Sequence, residues 1–416
     1  MTTRQLSVVG VLAILAAGCG QPAAIVRSPH SVAPVGAVAP LGAQSAPGTS
    51  REALAETVRV TQAKLKLAPM DASAAVRLAD ALMRQARVLG NPGLVIQAER
   101  TLRSVLLADV DRYDARRMLA TVLLSQHRFR EAIREAERCQ QMKPDDSWPD
   151  GVIGDAHLEL GEYEAAFAAF GRMEHRRPDA ASYARVAYAR ELQGDLDAAI
   201  RLMTMALDAT GPNDPESQAW HHAQLGHLQI ARGRLTDAAR EFDHAQFIFA
   251  DHPFALEGLA RVADAQGRHA DALTITERLN ALAPTPAMLA FAADQLRALG
   301  RADEAARRDQ LAEAAWRTDA PDPARLALFL ATRGEKPGEE PGKKIDEAVR
   351  LAETAARDRD DIFTNDALAW AYFRAGRIED AARASARALR TGTQDRELRQ
   401  RARAIATAAA PHQAAR

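Results

Sequence analysis

The chain is 416 residues long, 47% hydrophobic but only 5% aromatic, and its 54 basic and 55 acidic side chains leave a formal charge of −1. That balance argues against a nucleic-acid partner, because holding phosphates needs a clear basic excess. The lack of Val/Ile/Thr runs with a period of two argues against a sheet-based core and favours helices throughout.

In chain order, residues 1–18 read as an export signal. Met1 to Gln5 carries one cation, Arg4, and Leu6 to Ala17 is an apolar run too short to span a bilayer stably. The run ends in Leu15-Ala-Ala-Gly18-Cys19, which resembles the lipobox of bacterial lipoproteins, although Ala16 stands where leucine is commoner. The resemblance implies cleavage behind Gly18 and lipidation of Cys19, so that the protein is membrane-anchored by lipid. Gly20 replaces the aspartate that usually marks inner-membrane retention, so the expected address is the outer membrane, facing the periplasm.

Residues 19–50, rich in Pro, Ala, Gly and Ser, read as a disordered tether with a root-mean-square reach of about 30 Å. Helical patterning begins at Arg51, and the first helix is expected over 51–67, stopping before Pro69. Units then follow at 72–112, 113–146, 147–179, 180–218, 219–252, 253–285 and 286–319. The first carries an insertion at Leu89-Gly-Asn-Pro-Gly93. A degenerate unit covers 320–361, interrupted by a solvated loop over Glu335 to Lys344. A clean unit occupies 362–394, a polar-faced terminal helix 395–409, and a disordered tail 410–416.

What fixes these units is a recurring phrase, Gly-x-apolar-x-x-Ala. It occurs at Gly161, Gly194, Gly233, Gly267, Gly300 and Gly376, and from Gly161 to Gly300 the spacings are 33, 39, 34 and 33. An earlier copy, His127-Arg-Phe129-Arg-Glu-Ala132, lacks only the glycine. A glycine can end one helix in the left-handed conformation, the apolar residue seals the turn, and the alanine lets a second helix cross closely. Pro144, Pro178 and Pro284 stand where second helices should stop. A self-similar period of this length means stacked repeats.

The period and its marked positions resemble the tetratricopeptide repeat. In the unit from Ser147 the matches are Gly154, Gly161, Tyr163, Ala166, Phe170 and Pro178. In the unit from Ala219 they are Leu225, Gly226, Gly233, Ala238, Phe242 and Ala245, and from Ile362 they are Leu368, Tyr372, Gly376, Ala381 and Ala388. Over residues 72–394 the resemblance implies an all-α fold, a right-handed α-α superhelical solenoid of about eight to nine hairpins with a C-terminal capping helix.

No enzyme signature is present, neither HExxH, a phosphate-cradling glycine loop, CxxC, nor a Gly-x-Ser-x-Gly elbow, and no unassigned block is long enough for a catalytic domain. Neither a cofactor nor a metal is expected. His222 and His227 are five apart, off a common helix face, and no third ligand stands at a matching offset beside His221. Cys139 reads as a packed thiol, and the acid pairs Asp145-Asp146 and Asp360-Asp361 read as caps or solvated turns.

The resemblance further implies a concave groove lined by the first helix of each unit at positions 2, 5, 9 and 12. That stripe also collects Asp155, Glu191, Ile230, Asp264, Asp294 and Asp366. Its candidates for peptide contact are Trp148, Tyr188, Trp220, His227, Phe254, Arg261, Arg297, Phe363, Trp370 and Phe373. These side chains either meet a ligand or pack between repeats; in the first case Trp148, Tyr188, Trp220, Trp370 and Phe373 should be partly accessible. The expected function is a non-catalytic scaffold that captures segments of cell-envelope proteins in an assembly, secretion, pilus or cell-wall complex. The alternatives are a self-associating, homo-oligomeric structural lipoprotein, and an enzyme or metal protein with an unrecognised site.

Overall fold

Every glycine of the repeated phrase stands in the left-handed region, from φ 66° at Gly267 to 82° at Gly161, and each follows a helix and precedes another. His127, which replaces the glycine in the earliest copy, adopts the same conformation at φ 58°. The turn, not the residue type, is what the repeat conserves within the chain.

The computed structural model describes residues 51–318, 322–334 and 342–414, with side chains to residue 410. Among these residues there are helices and no strands. The first helices of the hairpins are α2 (Ala72–Leu89), α4 (Tyr113–Ser125), α6 (Trp148–Leu160), α8 (Ala180–Leu192) and α10 (Pro215–Ala231). They continue as α12 (Pro253–Ala265), α14 (Pro286–Ala298), α16 (Pro323–Arg333) and α18 (Ile362–Arg374). Their partners are α3 (Gly93–Ala108), α5 (Phe129–Met142), α7 (Tyr163–Arg176), α9 (Leu196–Asp208) and α11 (Leu235–Ile248). The later partners are α13 (His269–Leu282), α15 (Ala302–Thr318), α17 (Lys343–Asp358) and α19 (Ile378–Ala388). One helix precedes the array, α1 (Arg51–Leu67), and one follows it, α20 (Arg396–Ala414).

Helices start and stop for local reasons. Asp71, Asp179, Asp214, Thr285, Asp322 and Asp361 each accept a hydrogen bond from a backbone N–H in the first turn of the helix they cap. α5, α7 and α13 all end two residues before their prolines. Of the acid pairs, Asp361 caps α18, and Asp146 accepts from Trp148 N at 2.9 Å and Tyr113 Oη at 2.5 Å. Cys139 is a free, fully buried thiol whose pKa burial pushes up to about 12.

Small residues set how closely neighbours approach. Phe242 on α11 is fully buried, and a Cβ added at Gly226 on α10 or Gly258 on α12 would lie 2.5 or 2.1 Å from its ring. Two glycines on consecutive first helices therefore make the slot that one phenylalanine fills, a burial that contributes about 1.5–3 kcal/mol.

The insertion of the first unit gives α2 its 18-residue length at Leu89 and supplies Gly90-Asn91-Pro92 as the turn into α3. Two boundaries differ from expectation. Lys343 and Lys344, placed in the solvated loop, open α17, while residues 335–341 lie outside the described residues. α20 continues to Ala414, through the Ala-rich Ala408-Ala-Ala410 that favours helix.

The solenoid winds tightly enough for its turns to touch. Asp360 N donates to Leu160 O at 3.1 Å, Ile362 N to Tyr163 Oη at 2.8 Å, and Arg390 Nη2 to Gly161 O at 3.1 Å. The tip of α6 thus meets the start of α18, six hairpins further on. Likewise a Cβ on Gly194, past the end of α8, would stand 2.4 Å from Gly392 O, and one on Gly90, past α2, 3.3 Å from Ala283. Two length irregularities join here as well. The C-terminal part of the lengthened α2 carries Arg84 and, in its last turn, Arg87; the 39-residue spacing lengthens α10 to 17 residues, whose first turn carries Glu216 behind the cap Asp214. Arg84 Nη1 donates to Asp214 at 2.9 Å and Arg87 Nη2 to Glu216 at 2.6 Å.

Candidate binding cleft

Because the turns touch, the inner face is narrowed to a cleft of about 250 Å³, reached by α6, α8, α12, α14, α15, α16, α18 and α20. Its apolar walls come from Tyr188, Phe291, Trp316, Leu328, Phe329 and Phe363. Trp316 and Phe329 pack at 4.8 Å between centroids.

Charged groups alternate with these rings, and nearly all are matched. Arg401 donates to Asp366 through Nε and Nη2 at 2.9 and 2.6 Å and pairs with Glu397 at 3.1 Å. Arg333 bridges Asp294 at 2.7 Å and Asp309 at 3.0 Å. Arg359 spans the turns, 3.1 Å from Asp361 and 3.3 Å from Glu159. Burial alone would lower the pKa of Arg359, but the carboxylates of Asp361, Glu159 and Asp322 raise it. Burial pushes Glu159 up to about 7 against the pull of Arg359. Arg261 stands apart: among the described residues it forms an ion pair with one carboxylate, Glu257, at 3.1 Å. Its guanidinium lies 5.0 Å over the Phe291 ring, and burial, outweighing Glu257 and Glu397, lowers its pKa.

Of the candidates for peptide contact, Tyr188, Arg261 and Phe363 line this cleft, as do Asp294 and Asp366 from the same stripe. The other contact candidates do not. Trp148 and Trp220 are only 6% and 4% exposed, and Tyr188, although it lines the cleft, only 5%. The expectation of accessible rings is therefore corrected at these three: Trp148 and Trp220 pack between neighbouring repeats, and the far turn closes over Tyr188 with Ile362 and Leu398. Arg117 covers the Trp148 ring at 4.9 Å, and Trp220 packs edge-on against His221. His227 packs against Phe242, Phe254 is half-buried in the core, and Arg297 is exposed and paired with Asp294 at 2.8 Å. Trp370 and Phe373 are half-buried and stacked at 5.1 Å, and the Trp370 indole N–H has no hydrogen-bond partner among the described residues. Asp155, also placed on the groove stripe, is buried under Arg185 at 2.8 Å, an ion pair joining α6 to α8. Sequence reasoning missed Phe291, Trp316, Phe329, Arg333 and Arg401; three of them, Phe329, Arg333 and Arg401, belong to α16 and α20, where the repeat register is weakest or absent.

No family model matches the sequence, and no curated protein does. Solved structures do. The APC/C hetero-tetramer Cut9–Hcn1 matches at TM-score 0.51 and 14% identity, over 86% of this chain and 60% of that one. The chain thus spans less than two thirds of that relative's length. The human IFIT1 dimer with m7Gppp-AAAA matches at TM-score 0.52 and 16% identity, over 82% of this chain and 77% of that one. A tetratricopeptide repeat protein from Parabacteroides merdae aligns with 57% of this chain at TM-score 0.41 and 17% identity. The fold is that of a tetratricopeptide-repeat solenoid. At 14–16% identity the likeness is one of fold. Among the described residues no helix is long and apolar enough to cross a membrane.

Proposed function

We propose that this protein is a non-catalytic scaffold that binds an extended segment of a partner protein in the central cleft. The observation that carries the reading is the convergence of ring faces with Arg261, a buried guanidinium with a single carboxylate partner. Aromatic anchors and arginine dominate binding energy where they are desolvated, and a partner's acidic group would relieve the burial that Arg261 bears. IFIT1 is solved with m7Gppp-AAAA, but a triphosphate needs unpaired cations, and here Arg333, Arg359 and Arg401 each face two carboxylates.

The lipobox, which lies outside the described residues, supports a lipid anchor at Cys19, and the tether would hold the solenoid off the membrane. The partner would then be an envelope protein of an assembly, secretion, pilus or cell-wall complex, and the site the periplasmic face of the outer membrane. The test is crosslinking in cells followed by affinity purification from membranes, with Phe363→Arg as the comparison. A protein enriched by the wild type and lost with a Phe363→Arg variant of unchanged helicity supports the reading. Equal enrichment by both proteins overturns it. Cys19→Ser should move the protein to the soluble fraction, and a variant that stays membrane-bound refutes the anchor.

A further inference from the structure

The hairpin α10–α11 carries a group of side chains that the cleft does not use. His222 on α10 faces Glu241 on α11, with Nδ1 2.8 Å from Oε2. His244 lies nearly one turn beyond Glu241 on the same face of α11, and its ring meets that of His222 edge-on at 5.3 Å. One ligand atom from each of the three lies within 4.8 Å of the other two. None of the three lines the cleft. Spacing along one helix hid this group, because two of its members come from the paired helix.

We propose that His222, Glu241 and His244 form a binding site for a divalent transition metal, zinc fitting the ligands best. Two imidazoles and a carboxylate suit zinc, nickel or copper, whereas magnesium and calcium call for oxygen ligands alone. Tetrahedral zinc, with bonds near 2.0–2.2 Å, places neighbouring ligand atoms about 3.3 Å apart. The widest gap must therefore close by about 1.5 Å, which the exposed His244 can supply by turning about its side-chain bonds. His222 and Glu241, both half-buried, are already held by the packing of α10 on α11. The ion takes the place of the proton between His222 Nδ1 and Glu241 Oε2, with the imidazole proton carried on Nε2. Three protein ligands leave a fourth position for water or for a side chain of another molecule. The neighbouring histidines are otherwise engaged: His221 Nδ1 is 3.1 Å from Thr210 Oγ1, and His227 packs on Phe242.

The test is calorimetric titration of the metal-free full chain with zinc chloride, alongside melting curves with and without zinc. Binding of one equivalent with a dissociation constant on the order of 10 μM or tighter is expected, with a rise in melting temperature. His244→Ala, at an exposed position that leaves the core intact, should weaken that binding about tenfold or more; His227→Ala should not change it, and magnesium should not compete. Absence of binding below about 100 μM, or binding unchanged in His244→Ala, overturns the site. Circular dichroism on each variant separates a lost ligand from a lost fold.

Discussion

Gly161→Ala and Gly267→Ala are the same substitution in the same repeated phrase, and the structure assigns them different costs. Both glycines have positive φ, 82° and 66°, so an alanine at either pays the left-handed penalty of roughly 1–2 kcal/mol. At Gly267 nothing lies within 4 Å of the new Cβ, and the cost stops there. At Gly161 the Cβ would stand 2.3 Å from Asp360 C, 2.4 Å from Asp360 O and 2.5 Å from Asp361 N. These are main-chain atoms of the segment that caps α18 and cannot swing aside. Overpacking of this kind adds about 1–3 kcal/mol. Relief by separation of the turns breaks Asp360 N–Leu160 O and Ile362 N–Tyr163 Oη, each contributing about 0.5–1.5 kcal/mol net. The expected totals are about 2–5 kcal/mol for Gly161→Ala and about 1–2 kcal/mol for Gly267→Ala. Urea denaturation reads the difference, and small-angle scattering should show a larger radius of gyration for Gly161→Ala alone. Equal midpoints and equal radii for the two variants would refute the contact between turns.

Trp220→Ala should cost about 3–5 kcal/mol of stability, the price of emptying a core site, and a normal melting temperature in that variant would contradict its burial. Arg185→Met should cost about 3–5 kcal/mol by stranding Asp155, while the double replacement Asp155→Leu/Arg185→Met should regain most of it in thermal melts. Burial holds His221 and His252 at about 4, below their usual 6.5, so the neutral rings favour the folded state above pH 6.5. That stability is lost as pH falls from about 6.5 to about 4, on the order of 3 kcal/mol for each histidine. Glu159, pushed up to about 7, acts with the opposite sign; the comparison is therefore between wild type and His221→Gln, whose stability should fall less steeply over that window. Parallel pH profiles would contradict the burial of His221.

The hairpin register was legible because its causes are local. A left-handed turn, a proline two residues past a helix and an aspartate at an N-cap each act within a few residues, and even His127 could be placed by its neighbours. Gly226 and Phe242 were each marked by the repeat, but the slot that Phe242 fills between Gly226 and Gly258 is seen only in the structure. The closure of the inner face was not legible either. Trp148 and Trp220 are covered by the neighbouring repeats, whereas the covering of Tyr188 depends on how many hairpins complete a turn, a sum of small rotations that no single unit encodes. The cleft's Phe329 and Arg333 sit in the degenerate unit, where no phrase marks position. The His222–Glu241–His244 group was hidden for another reason: its spacing is set across a hairpin, not along a helix.

The pairing of the α2 and α10 extensions also changes the order in which the chain can assemble. In an array coupled only to its neighbours, hairpins fold as they emerge and fray singly from the ends. Here Arg84 must wait for a partner 130 residues away, and Leu160 for one 200 residues away. Closing a loop of 200 residues costs about 5 kcal/mol in chain entropy beyond a constant. During synthesis the tips of α6 and α8 therefore remain uncovered until α18 and α20 have been made. The finished protein should unfold as one cooperative body rather than unravel hairpin by hairpin.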